Sequence, residues 1–574
     1  MHRRLWLLAG AGAAVLLLAA SATATTRFAD GARAANTTPA AAPFAESWAH
    51  VPRTPAAREA KDTLVFGMEQ DIDGFNTVLT CCNEFWAAAS GNTPVIRGAY
   101  NITDKLQHVA DLVSSAKATR STLTLNIRPN ANWNWGGKKL PVTYRDFVYT
   151  WQQNVNPNND VISRNGYDQI TGFTHKGDKQ VTFKWKAPYA DWEDLFGLVY
   201  PSAALAGMNF NTIWANCVCG SDGKPVSDGP FILTNYTKGQ GLTLKANPYW
   251  YGAKPGLKEV DFRIITDTNT EVQAMRGGEV DAINPTFGAN LTPLKGQNGV
   301  VFSVVPGLYQ EHIDIQFGQK GQPLLRSPWM RQAIMMGIDR QSIIKTVYGS
   351  LAGNVTPLNS ILYYQSDAAY KADFAQWNFN PAKALALLKK HCTGGPSSVS
   401  QSNSSIWTCA GLPAKFRFTW TASNATRTTQ ETIIKAEMKS IGIEIDDAAL
   451  PANVVFGPTG IPSSNYDLAN FAWVTAPDPA GFVTTWSCGG LQNYLNYCNR
   501  KATALLSASQ SELDPTKRAA DFAQADALMA KDVPSIPMYS RPNPLIYKSS
   551  ITGMKNNPSN VGFAWNIEAW KWKS

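Results

Sequence analysis

The chain has 574 residues, with 52 Lys and Arg against 43 Asp and Glu and a formal net charge of +9. That length exceeds the usual domain of roughly 100–200 residues and calls for two or three folding units, while 44% hydrophobic and 17% charged residues exclude a disordered chain. No run of five or six basic residues occurs, so the positive balance is a surface property and no nucleic-acid partner is expected.

At the start, His2, Arg3 and Arg4 precede an apolar stretch from Leu5 to Ala20, and small residues follow in Ala20-Ser21-Ala22 and Ala22-Thr23-Ala24. Charge, apolar core and A-x-A in that order are a secretory signal peptide over residues 1–24. A spanning helix needs ~20 apolar residues, more than this stretch supplies; retention as an uncleaved anchor is the other reading. Residues 25–60 are rich in Ala, Thr and Pro and read as a flexible tether.

Thr63 to Gly67 has the composition of a strand, and the loop from Asp71 to Asn76 leads from it to the adjacent Cys81 and Cys82. Residues 121–128 and 180–185 alternate polar with apolar, which predicts two half-buried strands. Between them, Thr143 followed three residues later by Asp146 marks the start of a helix that carries Phe147, Tyr149 and Trp151. Asn380 and Pro381 supply the cap and first position of a helix over 382–390. A second amphipathic helix over 429–440 leads into a strand over 441–445, and helix followed by strand is the unit of an α/β lobe. Residues 502–531 are Ala-rich and helical, with a break at Asp514 and Pro515. No fixed-period repeat occurs, which excludes a solenoid.

Eight cysteines in an exported chain favour disulfides. Cys392 with Cys409, and Cys488 with Cys498, are near enough to staple local loops. Cys81, Cys82, Cys217 and Cys219 are open to two readings: disulfides across one lobe, or a four-thiolate zinc site, although zinc thiolates usually come as C-x₂₋₄-C pairs. The sequence contains no G-x-S-x-G, H-E-x-x-H or G-x-x-x-x-G-K-[ST], and its six histidines stand apart from one another. The chain is therefore expected not to be an enzyme and to need no cofactor. A secreted hydrolase stays as the remote alternative, because a Ser-His-Asp set or two carboxylates can assemble in space without a local motif.

Several blocks occur together in one order: Trp133 to Trp151; Ser227-Asp-Gly-Pro-Phe231, Asn247-Pro-Tyr-Trp250, Val260-Asp-Phe-Arg-Ile-Ile265 and Gly278-Glu-Val-Asp281; Trp329 to Arg340; and Tyr466-Asp467, Pro477-Asp-Pro479, Asn496-Tyr-Cys-Asn499 and Val533 to Tyr539. Over roughly residues 60–574 this order resembles extracellular solute-binding protein family 5, the dipeptide and oligopeptide-binding group of ABC importers. The resemblance implies an α/β, two-lobed periplasmic-binding-protein fold of the cluster C type, with an extra subdomain in the first lobe. The implied boundaries are 61–306 plus 530–574 for the first lobe, with the insert at about 100–225, and 307–529 for the second. Within these blocks Arg331, Asp339 and Arg340 are expected to form ion pairs on a helix surface.

The function that follows from the resemblance is capture of peptides or peptide-like oligomers outside the cytoplasmic membrane by an exported monomer. The protein would be periplasmic or on the outer face of that membrane, and would deliver its ligand to a separate permease and ATPase. By position, the family's ligand-contacting loops correspond to Asn76 through Trp86, which contains Thr80 and Cys82, and to Trp473 through Pro479. Tyr497 matches a tyrosine that faces the cleft. Peptide binders place an acid shortly after the tryptophan to pair with the ligand's α-ammonium, but Val474, Thr475 and Ala476 stand there, and Asp478 matches only a later acid. That departure leaves open oligosaccharide or glycolipid ligands, or an envelope-assembly scaffold on the same fold.

Overall fold

The computed structural model describes residues 62–573, so the expected signal peptide and tether lie outside the described residues. Two sheets organise the chain. The first has seven strands in the order Phe231–Thr237, Gly241–Ala246, Glu259–Ile264, Thr63–Met68, Ala282–Ile283, Asn543–Lys548 and Val300–Val305. Thr63–Met68 runs parallel to both of its neighbours, and Leu64, Phe66 and Met68 are buried, as expected where helices and loops cover a parallel centre. The second sheet has five strands in the order Glu444–Leu450, Lys415–Thr421, Leu468–Val474, Tyr309–Ile315 and Ser535–Ser540. A smaller four-stranded antiparallel sheet, Val113–Ala118, Thr122–Ile127, Gln180–Trp185 and Ile170–His175, lies within the 100–225 segment.

The chain passes between the two large sheets at 306–308 and again at 541–542. The two crossings touch: the Arg541 amide donates to the Tyr309 carbonyl at 2.8 Å, and the Ser540 hydroxyl donates to the Gly307 carbonyl at 2.8 Å. A Cβ on Gly307 would sit 2.3 Å from the Arg541 carbonyl oxygen, so only glycine permits this approach. Within 530–574, the part of the chain expected to return to the first lobe, the strand Ser535–Ser540 pairs in the second sheet and Asn543–Lys548 in the first. Ser535–Ser540 pairs antiparallel with Tyr309–Ile315, where Ile536, Met538 and Tyr539 join the second core.

Local signals mostly set the helices. Thr143 and Asp146 form a reciprocal capping box at Tyr144–Val155, Asn380 caps Pro381–His391, and Asp514 caps Pro515–Asp532 after the break that follows Arg500–Ser509. The helix expected from 429 begins at Ala425, because the Asn424 side chain accepts from the Arg427 amide and adds a turn. The strand expected at 441–445 is Glu444–Leu450, since Gly442 takes φ +84° and turns the chain first.

Arg331 and Arg340 are not surface ion-pair residues. Each is buried: Arg331 donates to the carbonyls of Asp532 and Leu325, both at 2.7 Å. Arg340 donates to the carbonyls of Leu358 and Pro537, both at 2.6 Å, and to Asn359 and Asn378, both at 2.8 Å. Burial pushes both guanidinium pKa values down to about 10. These side chains tie strand and helix ends together through fixed forks of donors. Asp339 caps the helix Arg340–Tyr348, accepting from the Ser342 amide at 3.0 Å.

The cysteines pair as Cys81–Cys82, Cys217–Cys219, Cys392–Cys409 and Cys488–Cys498. The first two bonds close within their own short segments, so neither the bridge across a lobe nor the four-thiolate zinc site is formed. Among the described residues no helix is long and apolar enough to cross a membrane.

Candidate functional site

The strand Thr63–Met68 delivers the chain to Glu69 and Gln70, and the loop beyond it folds back through Thr77, Thr80 and Asn83 to Trp86. Opposite, the strand Leu468–Val474 carries Trp473 near its end, and the chain runs on through Thr475 and Ala476. These two walls, with Tyr100, His108 and Tyr167 from the inserted segment, enclose a cavity of about 570 Å³. That volume lies within the roughly 300–1,000 Å³ of small-molecule sites. Tyr309, beside one sheet crossing, and Arg541, within the other, line the same space.

Trp473 is held by its register. Phe471 and Trp473 are two residues apart on one face of their strand, and Phe471 lies opposite His312 of the neighbouring strand. The three rings pack together: Phe471 is edge-on to Trp473 at 5.0 Å and to His312 at 4.3 Å, and His312 is parallel to Trp473 at 6.0 Å. The indole N–H of Trp473 is buried and has no acceptor among the described residues. On the facing wall Trp86 packs on Phe563 at 5.3 Å, and Phe85 meets Tyr309 edge-on at 5.5 Å.

Five carboxylic acids, Glu69, Glu84, Asp111, Glu193 and Asp194, line the cavity against three arginines, Arg97, Arg427 and Arg541. Most of these charges are committed inside the protein. Glu69 accepts from the Thr286 amide at 2.8 Å and hydroxyl at 2.6 Å; Arg97 pairs with Asp111 at 3.4 Å; Asp194 accepts from the His108 ring at 2.6 Å, which raises the histidine pKa. Arg427 meets Glu311 at 2.9 Å. Burial alone would raise the Glu311 pKa, but the Arg427 and Arg541 guanidiniums outweigh it and hold the carboxyl below its usual range. Glu84 behaves differently: burial, assisted by Asp73, pushes its pKa up to about 8.

The expected ligand residues separate into two groups. Thr80, Trp86 and Trp473 line the cavity. Asn76, Cys82, Asp478 and Tyr497 do not line it and have other partners. Asn76 donates to the Phe210 carbonyl at 2.9 Å and accepts from the Tyr200 hydroxyl at 2.5 Å. Cys82 is bonded to Cys81. Asp478 accepts from the Ala480 amide at 2.8 Å and pairs with Arg518 at 2.6 Å, and the Tyr497 hydroxyl donates to Asp532 at 2.7 Å. Sequence reasoning missed Glu84, although it lies inside the loop singled out, and missed Tyr309, Arg427 and Arg541, which have no local motif.

Comparison with known proteins places this architecture. The family model described as "Bacterial extracellular solute-binding proteins, family 5 Middle" matches residues 108–493. The oligopeptide-binding protein OppA of Mycobacterium bovis is 23% identical over 450 residues, covering 76% of this chain and 73% of the relative. The solved oligopeptide-binding protein AppA of Bacillus subtilis, in complex with a nonapeptide, superposes with a TM-score of 0.79 at 20% identity, covering 89% of this chain and 99% of that one. A periplasmic EDTA-binding protein, EppA, shares the fold at a TM-score of 0.77 and 22% identity, with coverage of 89% and 96%.

Proposed function

The chain belongs to the family 5 bacterial extracellular solute-binding proteins, and from that premise we propose that it captures peptides outside the cytoplasmic membrane for an ABC importer. A separate permease and ATPase receive the ligand, and the binding protein acts as an exported monomer without performing chemistry on it. The two lobes divide at the crossings 306–308 and 541–542, and they close on the ligand by rotation about those segments.

One observation carries this reading: polar and aromatic side chains from both walls line one cavity. Thr80, Asn83 and Trp86 come from one wall, and Trp473 and Thr475 from the other. A peptide offers alternating N–H and C=O groups at the spacing of ordinary backbone, so it can satisfy donors and acceptors on both walls with little demand on its side chains. The oligopeptide-binding names of the relatives agree with this choice.

The test is calorimetric titration of the exported protein with di- to hexapeptides of mixed sequence. Micromolar or tighter binding is expected, with a matching rise in thermal stability. Trp473→Ala should weaken peptide binding by about 10-fold or more through loss of ring contact. Binding of oligosaccharides with no response to any peptide would refute the reading.

A further inference from the structure

We propose that the Cys488–Cys498 disulfide positions the segment that seals the solvent edge of the cavity, so that a dithiol reductant loosens the hold on the ligand by opening this bond. This rests on the cavity being the ligand site.

Two segments meet across that edge. On the wall that carries Trp473, the chain leaves the short helix Val483–Trp486 and turns at Gly489, φ +69°, before Gln492 and Tyr494 line the cavity. On the facing wall, Asn83 of the loop after the first strand lines the cavity and is exposed. The Gln492 side-chain amide donates to the Asn83 side-chain carbonyl at 3.3 Å, and the Thr484 hydroxyl donates to the Ile162 carbonyl at 3.1 Å. All four residues line the cavity, so these two bonds form a seam between its walls. The facing wall is tied within itself, because the Ile162 amide donates to the Val78 carbonyl at 2.9 Å and the Thr80 amide to the Asp160 carbonyl at 3.0 Å.

The segment with Gln492 is anchored unevenly. Its far half, 494–497, is fixed to the body of the protein: Gln316 donates to the Tyr494 carbonyl at 3.0 Å, the Phe317 amide to the Leu495 carbonyl at 2.8 Å, and the Tyr497 hydroxyl to Asp532 at 2.7 Å. The near half leans on bonds close to itself. The Gln492 amide donates to the Thr484 carbonyl at 3.3 Å, and Asn493 donates to the Ser487 carbonyl at 2.8 Å. Cys488, whose amide donates to the Thr503 hydroxyl at 3.0 Å, joins this half covalently to Cys498 in the anchored part. Opening the bond returns backbone freedom to the residues between, and a lone side-chain contact at the solvent edge is too weak to offset that entropy.

Cys498 is exposed, so a reductant reaches its sulfur, whereas Cys392 and Cys409 are buried. One thiolate of the dithiol attacks the Cys498 Sγ, the S–S bond breaks, and Cys488 leaves as a thiolate that takes up a proton. The second thiol attacks the mixed disulfide and frees Cys498 as a thiol. The cystine gains two electrons and two protons; the dithiol supplies both and becomes a cyclic disulfide.

The test uses the full exported protein in two assays: hydrogen exchange read by mass spectrometry without added ligand, and release of labelled di- to hexapeptides in a dilution chase. The variants are Cys488→Ser with Cys498→Ser, the seam variant Gln492→Ala, and Cys392→Ser with Cys409→Ser. The last is the control, because it frees a longer loop, 17 residues apart against 10, with neither cysteine lining the cavity. In the Cys488/Cys498 variant, exchange should speed up over 487–493 and also over 78–83 of the facing wall, and peptides should leave about 10-fold faster. Gln492→Ala should reproduce the change over 78–83 and the faster release, and the control should show neither. If the Cys488/Cys498 variant does not fold, Gln492→Ala, which keeps the bond, carries the comparison. Dithiothreitol should speed release from wild type to the same extent, reversibly on reoxidation, and add nothing to the Cys488/Cys498 variant; that pairing separates the effect from reduction at the exposed Cys217.

Unchanged release from the Cys488/Cys498 variant, or equally fast release from the control, overturns the positioning role and leaves the peptide function standing. If no peptide binds wild type, the peptide reading falls and exchange decides. Faster exchange over 78–83 in the Cys488/Cys498 variant and not in the control then keeps the positioning role, and its absence overturns both.

Discussion

Replacing Arg427 by Met tests how the cavity wall is held. Arg427 on the helix Ala425–Ser440 donates from Nε to Glu311 Oε1 at 2.9 Å, from Nη2 to Oε2 at 3.4 Å, and from Nη1 to Thr421 at 2.9 Å. The two side chains are 7% and 2% exposed, so this is a buried pair with forked geometry. The pair as a whole adds little over an apolar replacement, because desolvation offsets much of the attraction, but removing one partner leaves a bare buried charge and costs about 3–5 kcal/mol. Urea unfolding of Arg427→Met should show that loss, and Glu311→Gln in the same chain should restore most of it. The pH dependence changes sign. In wild type the depressed pKa of Glu311 gives stability that is present above the ordinary carboxyl value of 4.5 and lost as pH falls through the folded value. Without the Arg427 guanidinium, burial, the largest influence, is opposed chiefly by Arg541 and that pKa rises; Arg427→Met is then best placed below about pH 4.5 and loses stability as pH rises through the new folded value. A penalty below about 1 kcal/mol at pH 8, or one that is the same at pH 5 and pH 8, would refute this account.

Three further perturbations follow from the packing. Arg518 on the helix Pro515–Asp532 joins Asp191 at 2.5 Å to Asp478 at 2.6 Å; burial and the nearby Asp478 raise the Asp191 pKa. Arg518→Ala should expand the ligand-free protein in small-angle scattering, more at pH 8 than at pH 5 because the Asp191 carboxyl then carries charge, and an unchanged radius at both pH values would show that Arg518 does not hold the two segments together. Loss of the Cys392–Cys409 bond in a double Cys→Ser variant frees a loop with a sequence separation of 17, which by loop entropy should cost about 3 kcal/mol in urea unfolding. Gly98→Ala places a Cβ 2.4 Å from the Gly197 carbonyl oxygen and should cost more than ~2 kcal/mol, whereas Gly277→Ala, at the end of a helix with open space around it, should gain about 0.4–1 kcal/mol. Thermal unfolding compares the two glycine variants directly.

The amino-acid sequence by itself determined the elements whose causes lie within a few residues. Thr143 with Asp146, Asn380 with Pro381, and Asp514 start helices by bonding amides two or three positions away. The alternation over 122–127 and 180–185 sets which residues of those strands are buried. The order of the motif blocks was enough to identify the family, because each block records a turn or cap needed at one place in the fold.

Tertiary structure alone decided which polar side chains are committed and which remain free. Arg331 and Arg340 read as surface charges until carbonyls from remote segments are seen to receive them. Glu311 and Arg427 are 116 positions apart, and Lys238 reaches Asp73 across 165. Position in the chain groups Asn76, Asp478 and Tyr497 with the cleft, yet their polar atoms are used by Tyr200, Arg518 and Asp532. Glu84 received no notice in its own loop. Its raised pKa comes from burial and from Asp73, and burial belongs to everything packed around the carboxyl rather than to its neighbours in the chain.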